Sequence, residues 1–170
     1  MPTPAAGAPW ALPTVVTLEY SPSWVGATVV NLAAGGGTAA GYSGPDSYWL
    51  FCGGYGLTIP AGYKYDGLYV AISGQGTCDA DPSPNDQKDI GVQLAAGGVG
   101  YGDVKYLTLP LTNYAEQVLG PDWGFTFSDA QVEASTTFGV RLWKRSNVNG
   151  PQVWVDYVTV ILVVTNMEQE

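Results

Sequence analysis

Histidine is absent from all 170 residues. Its absence removes the side chain most often used as a general base, as a transition-metal ligand and as the partner of a Ser or Cys nucleophile. Charge is scarce as well: Asp, Glu, Lys and Arg make up 12% of the chain, about half the usual share of roughly 25%. Six bases stand against fifteen acids, a formal net charge of −9, so no basic field exists to hold a phosphate backbone and nucleic acid is excluded as a partner. The nearest thing to a basic cluster, Arg141, Lys144 and Arg145, reads as an exposed strand edge. No apolar run is long enough for a helical membrane span, which needs about 18 residues or more. The start, MPTPAAGAPWALPTVV, has neither a basic n-region nor an unbroken apolar h-region, so no export signal is expected and the chain is expected to be made in a cytoplasm, with no membrane partner.

Glycine and proline are abundant, at 23 and 12 residues, which implies many turns and few helices. With 46% hydrophobic residues, a chain of this length can bury a two-layer core as one domain. The most organised stretch runs from Pro121 to Thr165. Phe138, Val140 and Leu142 alternate with Gly139, Arg141 and Trp143, a period of two that buries the first three on one face of a strand. From Val153 to Val164 nearly every residue is apolar, so both faces of that strand are covered. Asn149-Gly150 and Pro151 lie between them and predict a hairpin whose second strand is central to its sheet.

Earlier strands are expected at Val15–Tyr20, Val25–Leu32, Tyr48–Phe51, Leu68–Ile72 with Leu68, Val70 and Ile72 inward, Ile90–Leu94 and Tyr106–Leu111. Residues 113–120 read as a helical turn, and 128–132 as a second one with Ser128 as N-cap. Gly35-Gly36-Gly37 lacks the GK[ST] continuation of a phosphate loop and reads as linker. The fold class is therefore all-β, a jelly-roll-like antiparallel β-sandwich over residues 15–166, with an extended N-terminal arm over 1–14 and a short tail over 167–170. Four prolines stiffen the arm, and Pro9, Trp10 and Leu12 are its anchors for an inter-subunit contact.

The succession IPAGYKYDGLYVAI, KDIGVQL, DWGFTFSDAQVEASTTFGVRL and VWVDYVTVILVVT, over residues 57–165, resembles a β-sandwich family of tailed-phage virion proteins. The resemblance implies a structural role without catalysis: a capsid decoration or cement protein on the outer surface of the virion. Its partner would be the major capsid protein or another virion protein, and it would be a homo-oligomer, a trimer first and a dimer second. The alternative is a receptor- or carbohydrate-binding module of a tail or head fibre, with Trp24, Tyr42, Tyr48 and Tyr55 as glycan contacts because they lie near flexible loops. Trp123, Trp143 and Trp154 are expected in the core or at a subunit interface.

No catalytic residue is assigned and no cofactor is expected. Asp66, Asp122 and Asp156 are read as turn caps rather than as a glycosidase pair. Asp79, Asp81, Asp86 and Asp89, with Asn85, offer oxygens to a hard cation, but Pro82 and Pro84 break the calcium-loop pattern and a solvated acidic loop is the reading taken. Cys52 and Cys78 are the only cysteines and form a candidate disulfide if their strands are neighbours.

Overall fold

A computed structural model of the protein describes residues 13–18, 40–43, 49–76, 89–110, 114–145 and 152–169. The described residues form nine strands: β1 (Val15–Leu18), β2 (Ala40–Ser43), β3 (Leu50–Gly53), β4 (Tyr63–Gly76), β5 (Asp89–Ala96), β6 (Val99–Thr108), β7 (Ala115–Leu119), β8 (Gly139–Arg145) and β9 (Gln152–Asn166), with one helix, α1 (Asp129–Glu133). They make two antiparallel sheets, one of five strands in the order β1-β3-β8-β5-β6 and one of four in the order β2-β9-β4-β7. The protein is thus an all-β sandwich, as its periodicity implies.

Alternation builds the core. Leu68, Val70 and Ile72 of β4 and Val153, Val155, Val158 and Val160 of β9 pack against Leu50 and Cys52 of β3, Ile90, Val92 and Leu94 of β5 and Val140 and Leu142 of β8, all without exposed surface. Each such aliphatic side chain contributes about 1.5–3 kcal/mol relative to an exposed one. Trp123 closes the core from the 120–127 segment, its Nε1–H donating to the Leu68 carbonyl at 2.7 Å. Gly67 lies beneath this segment, where a β-carbon would stand 2.7 Å from the Pro121 carbonyl oxygen. That close approach explains a glycine at the register shift between Tyr65 and Gly67.

The expected 138–164 hairpin does not form. β8 lies between β3 and β5, whereas β9 belongs to the other sheet and pairs with β2 and β4. The second strand is central, as expected, but its long partner is β4, a strand of similar length and apolar character. The chain between them changes sheets, and the Asn149-Gly150 pair lies outside the described residues. Since β8 is interior to its sheet, Arg141, Lys144 and Arg145 are not on an edge.

The expected helical turn at 113–120 is also corrected: Ala115–Leu119 is a strand paired with Val70–Gly74. A five-residue segment gains little as an isolated helix, while the β4 edge offers it a full ladder. Strand β4 runs well beyond Leu68–Ile72, and β6 begins at Val99 rather than Tyr106, because Gly97-Gly98 alone make the β5–β6 turn, both at positive φ. Helix α1 forms where Ser128 predicts it. The Ser128 side chain accepts from the Gln131 backbone while Gln131 reaches back to Ser128 N, a capping box. Tyr65 N donates to Asp129 Oδ1 at 3.1 Å and Ile59 N to Glu133 Oε1 at 2.9 Å, so both ends of this short helix are tied to the sandwich.

At the N-terminus, Pro13 is buried. Thr14 N donates to the Gly53 carbonyl at 2.9 Å and Thr14 Oγ1 to the Gly54 carbonyl at 2.6 Å, which ties the end of the arm to its own domain. Residues 1–12, including Pro9, Trp10 and Leu12, and the expected strand at 25–32 lie outside the described residues.

Candidate functional site

The outward face of the five-stranded sheet carries the site. Because Val140 and Leu142 point inward, Arg141 and Trp143 point outward, and the ladder registers align them into two rows across the sheet. Trp143 lies opposite Gly91, which lies opposite Tyr106, and Trp49 precedes β3 alongside them. Phe51 lies opposite Arg141, which lies opposite Gln93.

The first row is aromatic. The Trp49 and Trp143 ring centroids are 5.2 Å apart at 57°, and Tyr106 meets Trp143 edge to face at 5.6 Å and 70°. Trp143 occupies the space above Gly91, where a β-carbon would stand 2.2 Å from Cε3. Tyr106 is 46% exposed, and Trp49 and Trp143 are partly exposed.

The second row is polar. Arg141 donates from Nε at 3.1 Å and from Nη2 at 2.8 Å to the single oxygen Gln93 Oε1, and Gln93 Nε2 donates to the Gly102 carbonyl at 2.9 Å. The guanidinium also lies over the Trp49 ring, 4.0 Å from its centroid, a cation–π contact that joins the rows. Gly100 makes room for this pair: a β-carbon there would stand 2.2 Å from Gln93 Oε1 and 2.3 Å from Arg141 Nη2. Chemically the face combines flat apolar rings with a guanidinium and an amide held against each other by hydrogen bonds.

Of the four expected glycan contacts, two lie among the described residues, and neither is in these rows. Tyr55 belongs to the core, 6% exposed, with its hydroxyl donating to the Val158 carbonyl at 3.4 Å. The reason is that the loop it occupies folds under the sheet, and burial, then the Cys52 thiol, push its pKa well up. Tyr42 lies on β2 opposite Val153, in the other sheet, and Trp24 and Tyr48 lie outside the described residues. Trp123 is a core residue as expected, but Trp143 and Trp154 are partly exposed on the outer faces of the two sheets. The alternation that buries Phe138, Val140 and Leu142 already placed Trp143 on the opposite side, and that signal was available in the sequence.

Among the described residues Cys52 is a free thiol in the core, and burial pushes its pKa from 9.0 to about 12. Its side chain is packed between the sheets, while Cys78 lies outside the described residues, as do Asp79, Asp81 and Asp86. Asp89 is paired in β5. Among the described residues no group of three or more acidic or cysteine side chains is placed to hold a metal ion.

Asp122 caps its own turn, accepting from Gly124 N at 2.8 Å. It lies with Asp66 near Tyr65, whose pKa is raised first by burial and then by these two carboxylates. Asp156 sits at the second register shift of the β4–β9 ladder, far along from Asp66, and its Oδ1 is buried without a hydrogen-bond partner. Asp156 therefore lies apart from Asp66 and Asp122.

A separate concavity of about 350 Å³ opens at the end of the sandwich, lined by Ala96, Gly97, Tyr101, Ala130, Gln131, Ala134 and Thr137. Gln131 there is committed to the capping box.

No protein-family model matches the chain, and no curated protein matches it. Solved structures of similar shape include a "Family 16 Carbohydrate Binding Module-2" at 19% identity, covering 76% of this chain and 79% of its own, with TM-score 0.42. Another, titled "CBM4 structure and function", has 7% identity, coverage of 78% and 86%, and TM-score 0.40. A third, TmCBM61 in complex with β-1,4-galactotriose, has 14% identity, coverage of 91% and 89%, and TM-score 0.41. At these values none of them bears on a residue of the site, which is read from its own side chains.

Proposed function

We propose that the protein is a non-catalytic carbohydrate-binding β-sandwich that takes a glycan on the outward face of its five-stranded sheet. The observation that carries this reading is the row Trp49–Trp143–Gly91–Tyr106 beside the row Arg141–Gln93. The C–H face of a sugar ring stacks on an aromatic ring, and its hydroxyls take hydrogen bonds from groups whose positions are set in advance. Gln93 holds Arg141, and Gly91 and Gly100 provide the space above which the ring and the guanidinium lie. Binding therefore proceeds with little ordering of the protein.

The test is titration of the full chain with a panel of soluble oligosaccharides, using Trp143→Ala and Tyr106→Ala as probes. Each variant is expected to weaken binding about 10- to 30-fold, the loss typical of an aromatic anchor, with the thermal midpoint little changed for the exposed Tyr106. Undiminished binding by Trp143→Ala, or no binding by any member of the panel at millimolar concentration, sinks the reading. The virion cement role rests on the order of motifs over 57–165 and on an arm outside the described residues. Cosedimentation with undecorated shells distinguishes it.

A further inference from the structure

We infer that the concavity at the end of the sandwich is a second binding site, separate from the sheet face, that takes one neutral sugar unit. Its volume of about 350 Å³ lies at the small end of the range for ligand pockets, about 300–1,000 Å³. That is room for one substituted six-membered ring rather than for two linked rings. Small side chains make the hollow. Ala96 ends β5, Gly97 opens the β5–β6 turn at positive φ, and Ala130 and Ala134 stand four residues apart on α1 and its C-cap. A larger residue at Ala96, Ala130 or Ala134 would occupy the space. A β-carbon on Gly97 would meet nothing within 4 Å, so a ligand enters from that side.

The walls are held in advance. Tyr101, on β6 opposite Leu94, has its ring stacked on Phe125 at 4.9 Å and 31° and edge-on to Phe127 at 5.7 Å and 80°, so the ring is fixed before a ligand arrives. Elsewhere in the wall, Gly97 N donates to the Thr137 carbonyl at 3.1 Å, and Thr137 N and Phe138 N both donate to the Ala134 carbonyl, at 3.0 and 2.9 Å. The turn, the helix end and the approach to β8 are thereby tied together. The lining divides into an apolar part, the Tyr101 ring and the alanine methyls, and a polar part, the Gln131 amide and the Thr137 hydroxyl. Gln131 gives the capping box its Oε1 and its backbone N–H, and none of these contacts uses the Nε2 donor. Thr137 Oγ1 donates to the Ala134 carbonyl at 3.3 Å and keeps its lone pairs for an incoming O–H. A sugar ring carries the same division, a C–H face for the aromatic ring and hydroxyls that both donate and accept. None of the lining residues ionises at neutral pH, so nothing there offsets the desolvation of a charged ligand, and the unit taken is neutral.

The experiment is amide NMR of the full chain, titrated to tens of millimolar with methyl glycosides of glucose, galactose, mannose, xylose, arabinose, fucose and N-acetylglucosamine. Benzyl alcohol serves as an apolar ring of similar size. At least one glycoside is expected to shift the Gly97, Ala130 and Thr137 amides saturably. Ala130→Leu keeps a good helix former at an exposed position while filling the hollow. It and Tyr101→Ala are each expected to weaken that binding about 10-fold or more, whereas Trp143→Ala changes it less than about 2-fold. No saturable shift at these amides with any glycoside, shifts that survive Ala130→Leu, or benzyl alcohol bound as tightly as the best glycoside each overturn the inference. Loss of the binding in Trp143→Ala overturns it as well, since the ligand would then sit on the sheet face. The sheet-face reading stands or falls separately, on oligosaccharide binding and its loss in Trp143→Ala.

Discussion

The Trp143 ring stands where a β-carbon on Gly91 would be, with Cε3 2.2 Å and Cζ3 2.4 Å from that point. These residues are direct partners in the β5–β8 ladder. Glycine in a strand interior usually weakens it, and here it gives an aromatic ring a place on the sheet surface between Trp49 and Tyr106. Gly91→Ala is therefore expected to push the ring out of its row and break its contacts with both neighbours. The expected result is about 1–3 kcal/mol lost in denaturant unfolding and at least a 10-fold loss of glycan affinity. A variant as stable and as tight as the parent would show that the ring position is not needed.

Trp123→Phe keeps an aromatic ring in the core but removes the Nε1–H bond to the Leu68 carbonyl. Loss of the donor and the smaller ring together are expected to cost about 2–4 kcal/mol. Chemical denaturation with tryptophan fluorescence reads this directly. A cost below about 1 kcal/mol would mean that the 120–127 segment does not seal the core.

Ser128→Ala removes one half of the capping box at α1. About 1 kcal/mol of stability is expected to be lost, with faster amide exchange at Ile59 and Tyr65, whose N–H groups donate to the helix carboxylates Glu133 and Asp129. Unchanged exchange at those two amides would separate the cap from the anchoring of the helix.

Alkaline pH is expected to destabilise the fold through Cys52. Its pKa is raised in the folded state, from 9.0 to about 12, by burial. The unfolded chain therefore loses this proton first, and the neutral thiol's contribution is complete below pH 9 and is lost as pH rises towards 12. The slope approaches about 1.4 kcal/mol per pH unit across that window. Tyr157, raised from 10.0 to about 12 by burial and then by its hydrogen bond to Glu116, steepens the fall above pH 10. Unfolding free energies of the parent and of Cys52→Ala, measured from pH 8 to 11, should converge as pH rises. Parallel curves would refute the assignment.

Much of the sandwich is legible in the sequence because its signals are local. The alternation at 138–143 and at 68–72 sets which side chains are buried, and Ser128 with Gln131 three residues on sets a helix start. The unbroken apolar run at 153–164 marks a strand covered on both faces. These are consequences of backbone period and side-chain chemistry, and they hold whichever strand lies alongside.

Partner choice is different, because it depends on which ladder in the whole molecule is longest and best buried. The Asn149-Gly150 pair favours a hairpin locally, yet β9 pairs with β4, since that union joins two long apolar strands while β8 fits between β3 and β5. The site follows from the same decision. Trp49, Gly91, Gln93, Tyr106, Arg141 and Trp143 are spread over 95 positions of sequence, and the register of four strands brings them to one face. The sequence by itself determined an acidic, histidine-free all-β domain with these buried faces. Only the tertiary structure decided that Tyr55 goes into the core, that Cys52 is packed between the sheets, and that an arginine and a row of rings meet on the outside of one sheet, because lateral pairing is settled by total burial and not by local preference.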